Sequence, residues 1–128
     1  MKLNDYQKRA MSTCMPSCEN ISYMLLNLVG EIGEFSSKIA KHIRKGKMTI
    51  GGKCLPNGLH CNLENEEWLK ADEELMKEAG DILWQLSGLC YVMGWSLEEV
   101  GKGNLAKLAA RKAAGTIDGN GDGIIRDK

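Results

Sequence analysis

A chain of 128 residues with 43% hydrophobic side chains is long enough to form one domain around its own core. Only 5% of residues are aromatic, whereas Leu, Met, Ala, Glu and Lys are plentiful, a mixture that favours helix over strand. Seventeen basic residues balance seventeen acidic ones, so no global field draws the protein to nucleic acid or to an anionic membrane, and any charged ligand must be met locally.

The amino-terminal stretch MKLNDYQKRA has no apolar run of the kind a signal peptide needs, and no segment approaches the roughly 18 apolar residues of a membrane span. A soluble, cytoplasmic protein is expected. Residues 3–15 have helical character, with Asn4 as the expected N-cap and Pro16 closing the segment. Five cysteines, an odd number with no export signal, argue for reduced thiols rather than a disulfide framework. Neither Cys14 with Cys18 nor Cys54 with His60 and Cys61 shows the tight repeated C-x2-C pairs of a zinc site, so buried or incidental thiols are expected.

From about Asn20 to Lys45 the chain reads as one long helix, with Ile21, Leu25, Leu28, Ile32, Phe35, Ile39 and Ile43 recurring at spacings of three and four. Gly46 follows Arg44 and Lys45 as a natural stop. Residues 46–65 are Gly-rich, lack a helical period, and suit a loop or a small hairpin. Residues 66–93 resume the helical period, with Leu75, Ile82, Leu86 and Leu89 on one side and Gly94 at the end. Ser96 and Glu99 have capping-box spacing for a further helix to about Ala114, closed by Gly115. The expected fold is all-α, an antiparallel bundle of about four helices. One domain spans residues 1–115, with an insertion at 47–65 between helices 2 and 3, and a Gly-rich tail follows at 116–128.

That tail begins like a calcium loop, with Asp118, Asn120 and Asp122 at positions one, three and five and Gly123 at six. Position twelve, which should bring a bidentate acid, falls one past Lys128. The ligand set is incomplete, and calcium is not the expected metal.

At 100° per residue, Asn27, Glu31, Glu34, Lys38 and Lys41 share a stripe about 80° wide beside the apolar face of the second helix. Glu74, Glu78, Asp81 and Gln85 make a corresponding stripe on the third. Antiparallel packing would bring E31-x-x-E34 and E78-x-x-D81 together. Converging carboxylates repel unless a cation neutralises them, and a site of carboxylate oxygens suits Mg²⁺, or Mn²⁺ in its place. A di-iron bundle would want Glu-x-x-His on two helices, and neither pair here ends in His. The other reading is a pair of solvated acidic faces on a non-catalytic helical binding protein. Gly30, Gly33 and Gly80 weigh against it, because glycines inside helices cost stability yet permit close approach. On the fourth helix Asn104, Lys107 and Arg111 share a cationic face that would suit a polyphosphate, or would simply be solvated.

The stretches GEIGEFSSKIAKHIRKG, ELMKEAGDILWQL and SLEEVGKGNLAKLAARKAAGTIDGNGD resemble the MazG-like family of all-α nucleoside triphosphate pyrophosphohydrolases, especially its single-domain phage and bacterial members. Tyr6, Gln7 and Thr13 resemble that family's first helix, and the likeness covers most of the chain except residues 47–65. The resemblance implies Mg²⁺-dependent hydrolysis of an NTP or dNTP to a monophosphate and pyrophosphate. It implies Glu31, Glu34, Glu78 and Asp81 as metal ligands, with Glu31 or Glu34 helping to deprotonate the attacking water. Lys38, Asn104, Lys107 and Arg111 become the candidates for substrate contacts, and a homodimer or homotetramer is expected. Forty-three residues separate Glu34 from Glu78, longer than is usual in the family, because the Gly-rich insertion intervenes. A longer surface loop costs little entropy and need not disturb the helices.

Overall fold

The computed structural model describes residues 1–50, 59–61 and 65–117. Helix α1 (Leu3–Met11) is followed by a 3₁₀ turn at Pro16–Cys18, then by α2 (Ile21–Arg44), α3 (Asn65–Val92) and α4 (Leu97–Ala114). Within the insertion, β1 (Met48–Ile50) and β2 (Leu59–Cys61) pair antiparallel, Met48 opposite Cys61 and Ile50 opposite Leu59. The all-α bundle is therefore as expected, and the insertion opens and closes as a small hairpin. The calcium-like tail, residues 118–128, lies outside the described residues, as does Cys54. No described helix is long and apolar enough to cross a membrane.

Local chemistry sets the helix ends. Asn20 Oδ1 accepts from the Tyr23 N–H at 2.8 Å, and Ser96 Oγ accepts from the Glu99 N–H at 3.1 Å, each satisfying a donor that a helix start leaves open. Gly46, Gly94 and Gly115 all have φ near +70° to +80°, the left-handed conformation that ends a helix without a Cβ penalty. The first helix is shorter than expected because its backbone turns away after Met11, with Ser12 and Thr13 hydroxyls bonding to the Arg9 and Ala10 carbonyls. Asn4 does not cap it. Asn4 lies inside α1 and bonds across to α4, where its Oδ1 accepts from the Glu98 N–H at 3.1 Å.

α2 and α3 form the main helix pair, and α1 packs on α3 and on α4. The buried core is small: Ala10, Met24, Met48, Ala71, Leu75, Cys90 and Leu97. Two polar side chains organise the α1 junction. Buried Gln7 donates from Nε2 to the main-chain oxygens of Trp95 (3.0 Å) and Ser87 (3.3 Å), and its Oε1 accepts from the Leu97 N–H (3.1 Å). Trp84 Nε1 donates to the Ala10 carbonyl (3.1 Å) and to Thr13 Oγ1 (3.0 Å), which makes this Trp a structural anchor.

Two expectations fail in an instructive way. Gly30, Gly33 and Gly80 do not mediate close approach within the chain: a Cβ on Gly33 or Gly80 would meet nothing, and one on Gly30 would meet only Asn27 Oδ1 at 3.5 Å. The close approach is at Gly88, where a Cβ would overlap Met24, whose side chain is completely buried. The apolar stripe of α2 is also only half covered. Leu28, Phe35 and Ile39 turn toward α3, while Ile21, Leu25, Ile32 and Ile43 are 39% to 51% exposed. α2 is rotated about its axis so that part of its acidic stripe, rather than the centre of its apolar stripe, faces α3.

Candidate active site

The rotation of α2 is what builds the site. Glu31 of α2 and Glu78 and Asp81 of α3 each offer a carboxylate oxygen, and these oxygens lie within 4.8 Å of one another. Glu31 and Glu78 are half-buried and Asp81 is exposed. Positions 78 and 81 are one helical turn apart, so both project toward the single turn of α2 that carries Glu31.

The electrostatics record the crowding. The Glu31 carboxyl is held above the ordinary glutamate range, first by burial and then by the negative charges of Asp81, Glu78 and Glu34. Tyr6 on α1 is pushed up as well, by burial and by the nearby Asp81. The site therefore lies under α1 as well as between α2 and α3. Lys38 Nζ stands 3.7 Å from Glu78 Oε1, the only ion pair to reach the three carboxylates among the described residues. One cation against three acids leaves a net negative cradle.

Glu34 stands outside the trio and is exposed, yet it is near enough to raise Glu31. The fourth helix is not brought to the carboxylates. α4 packs against α1, and Asn104 and Lys107 are exposed with no hydrogen bond or ion pair to the acidic cluster. Arg111 is half-buried near the end of α4, where its carbonyl accepts from the Thr116 N–H and hydroxyl.

Beyond Asp81 the groove continues into neutral polar groups that sequence reasoning did not single out as a unit. Asn27 Nδ2 donates to Tyr23 Oη at 3.3 Å. The Tyr23 hydroxyl is pushed up mainly by its hydrogen bond to the Cys18 thiol, and a second bond from Gln85 opposes the shift. Gln85 is buried, and its Oε1 has no hydrogen-bond partner among the described residues. The sequence signal was present in part, since Asn27 and Gln85 sit on the same stripes as the acids; Tyr23 and Cys18 carry no periodic mark.

Two helices that present an oxygen-only carboxylate cradle define a helical domain suited to a hard divalent cation. Comparison of the sequence with family models matches residues 19–115 to the MazG nucleotide pyrophosphohydrolase domain, and the chain belongs to that family. It is also 32% identical over 129 aligned positions to the "Gene 37 protein" of Mycobacterium phage L5, which covers 95% of this chain and 98% of the phage protein. No solved structure matches the chain in a comparison of folds.

Proposed function

We propose that the protein hydrolyses a nucleoside triphosphate, NTP or dNTP, to the monophosphate and pyrophosphate with Mg²⁺, which Mn²⁺ can replace. The observation that carries this reading is the meeting of Glu31, Glu78 and Asp81 within 4.8 Å on a domain of this family. The donor set contains no nitrogen or sulfur, which fits Mg²⁺ rather than zinc or copper. Glu31, Glu78 and Asp81, joined by Glu34, would hold the ion. Bound there, Mg²⁺ would polarise the phosphoryl oxygens and neutralise charge on the departing pyrophosphate.

The chain's own residues supply the rest. Glu31 or Glu34 would take the proton of the attacking water, Glu34 standing outside the trio and Glu31 holding a proton more readily than an ordinary glutamate. Lys38, released from Glu78 once a cation takes its place, is free to turn to a phosphate oxygen. Asn104, Lys107 and Arg111 are assigned further phosphate or sugar contacts.

We further infer a homo-oligomer, dimer or tetramer, working in the cytoplasm of the cell or of a phage host, without nucleic acid or membrane as partner. Leu25 and Ile32 on α2 and Leu69, Met76 and Leu83 on α3 are 40% to 67% exposed, each set repeating every seven residues on one face. A shallow cleft floored by Phe35, Ile39 and Leu75 joins the two faces. A second copy would cover this surface.

The test is incubation with each NTP and dNTP plus Mg²⁺ while pyrophosphate is followed. Release from at least one substrate is expected, with severe loss in Glu34→Gln. Folded protein that releases none with either Mg²⁺ or Mn²⁺ would sink the reading.

A further inference from the structure

Toward the hairpin from the carboxylates, α2 and α3 line a cavity. That cavity, about 240 Å³, is lined by His42 of α2 and by Glu67, Lys70, Ala71 and Glu74 of α3. His42 lies one turn beyond Lys38, and Glu74 one turn before Glu78, so the Lys38–Glu78 pair stands between the cavity and the cradle. A site for a whole drug-sized ligand usually spans about 300 Å³ or more, so this one suits a fragment of a nucleotide lying along the groove.

Charge decides which fragment. Glu67 is engaged with Lys47 at 3.7 Å, whereas Lys70 and Glu74, one turn apart and both exposed on the cavity wall, have no ion pair or hydrogen bond among the described residues. Their charges cancel, so the cavity has no net attraction for a polyphosphate, while the ammonium offers N–H donors and the carboxylate accepts them. His42 Nδ1 is buried with no partner among the described residues, a polar atom that lacks the hydrogen bond it should make. The opposite end, under α1, carries cationic Arg9 beside Tyr6. We propose that the cavity of His42, Ala71 and Glu74 is the nucleobase subsite, with the polyphosphate directed the other way, and that Glu74 makes it select bases with N–H donors on their pairing edge. Guanine fits best, because its N1–H and 2-amino group can bond to both oxygens of one carboxylate. Adenine and cytosine offer one amino donor, and uracil and thymine offer a single N3–H between two carbonyls that repel the carboxylate, so they are disfavoured.

The proposal rests on the pyrophosphohydrolase reading for its choice of ligand, but it can fail separately. Two measurements on the full chain test it. In NMR titrations with Mg²⁺ present, dGMP is expected to shift the ring signals of His42, and inorganic pyrophosphate is expected to leave them in place. Shifts with pyrophosphate and not with dGMP, or with neither, overturn the assignment whether or not any triphosphate is hydrolysed. In steady-state kinetics, the ratio of kcat/KM for dGTP to that for dTTP should exceed one and fall on the order of tenfold or more in Glu74→Gln, the loss expected for a hydrogen bond to a charged group. A ratio unchanged by the substitution overturns the role of Glu74. Absence of all hydrolysis would fail the pyrophosphohydrolase reading instead, and the dGMP titration would still decide the cavity.

Discussion

The α1 junction and the α2–α3 hairpin are built on opposite plans. At the junction, Gln7 and Trp84 close every polar atom they bring and tie together segments that lie 71 to 90 residues apart in sequence. Along the hairpin, three carboxylates crowd one another, Gln85 and His42 each leave a buried atom unpaired, and large apolar side chains face outward. At the junction the buried Ser87 hydroxyl alone lacks a partner among the described residues. Under the proposed function a cation on one side and a second copy on the other would complete the hairpin, and a region with unmatched groups is where function is expected.

The sharpest way to break this contrast is to charge the outward apolar face. Ile32→Asp should abolish association, since an unpaired carboxylate buried in an interface costs several kcal/mol, about 3–5 for each uncompensated charge. Sedimentation should show the mass drop to that of a monomer that is still helical. An unchanged mass would mean that another surface joins the copies.

Next in size is the junction. Gln7→Leu keeps the apolar volume but strands the Leu97 N–H and the Trp95 and Ser87 carbonyls, so a loss of about 2–4 kcal/mol is expected in urea denaturation. Gly88→Ala should follow, at about 1–3 kcal/mol, because the new methyl group competes with the fully buried Met24. If either variant unfolds at the wild-type midpoint, the junction is not the self-sufficient part of the molecule.

Much of this was legible in the sequence where one residue decides one local event. Gly46, Gly94 and Gly115 stop helices, and Asn20 and Ser96 start them, because the conformation or the donor they answer to lies within a few positions. The acidic pairs were legible for the same reason: spacings of three on a helix put both members on one side. What periodicity could not supply was the rotation of α2 about its own axis. A stripe of isoleucines looks the same whether it faces α3 or solvent, so the exposure of Ile32, and the choice of Glu31 rather than Glu34 to join the α3 acids, came only with the packing. Nor could spacing show Gln7 reaching Leu97, ninety residues away, or Gly88 rather than Gly33 as the point of close approach.

The smallest expected effect concerns the carboxylates themselves. Glu31 is held above its ordinary range in the folded chain, so folding favours its protonated form. The contribution this group makes to stability is present at low pH and is lost as pH rises through its raised folded value; at neutral pH the ionised form is a net cost. Glu31→Gln should therefore stabilise the metal-free protein slightly at pH 7, by less than about 1 kcal/mol for a group that is only half-buried, read as a small rise in melting temperature, and the gain should fade toward pH 4. Mg²⁺ should do for the wild-type chain what the substitution does without metal, by neutralising the same repulsion, and it should add little to Glu31→Gln. Equal stabilisation of both proteins by Mg²⁺ would place the ion elsewhere. A variant less stable than the parent at pH 7 would mean that Glu31 is held by attraction, and that the crowding of the three acids is not what makes the hairpin wait for its cation.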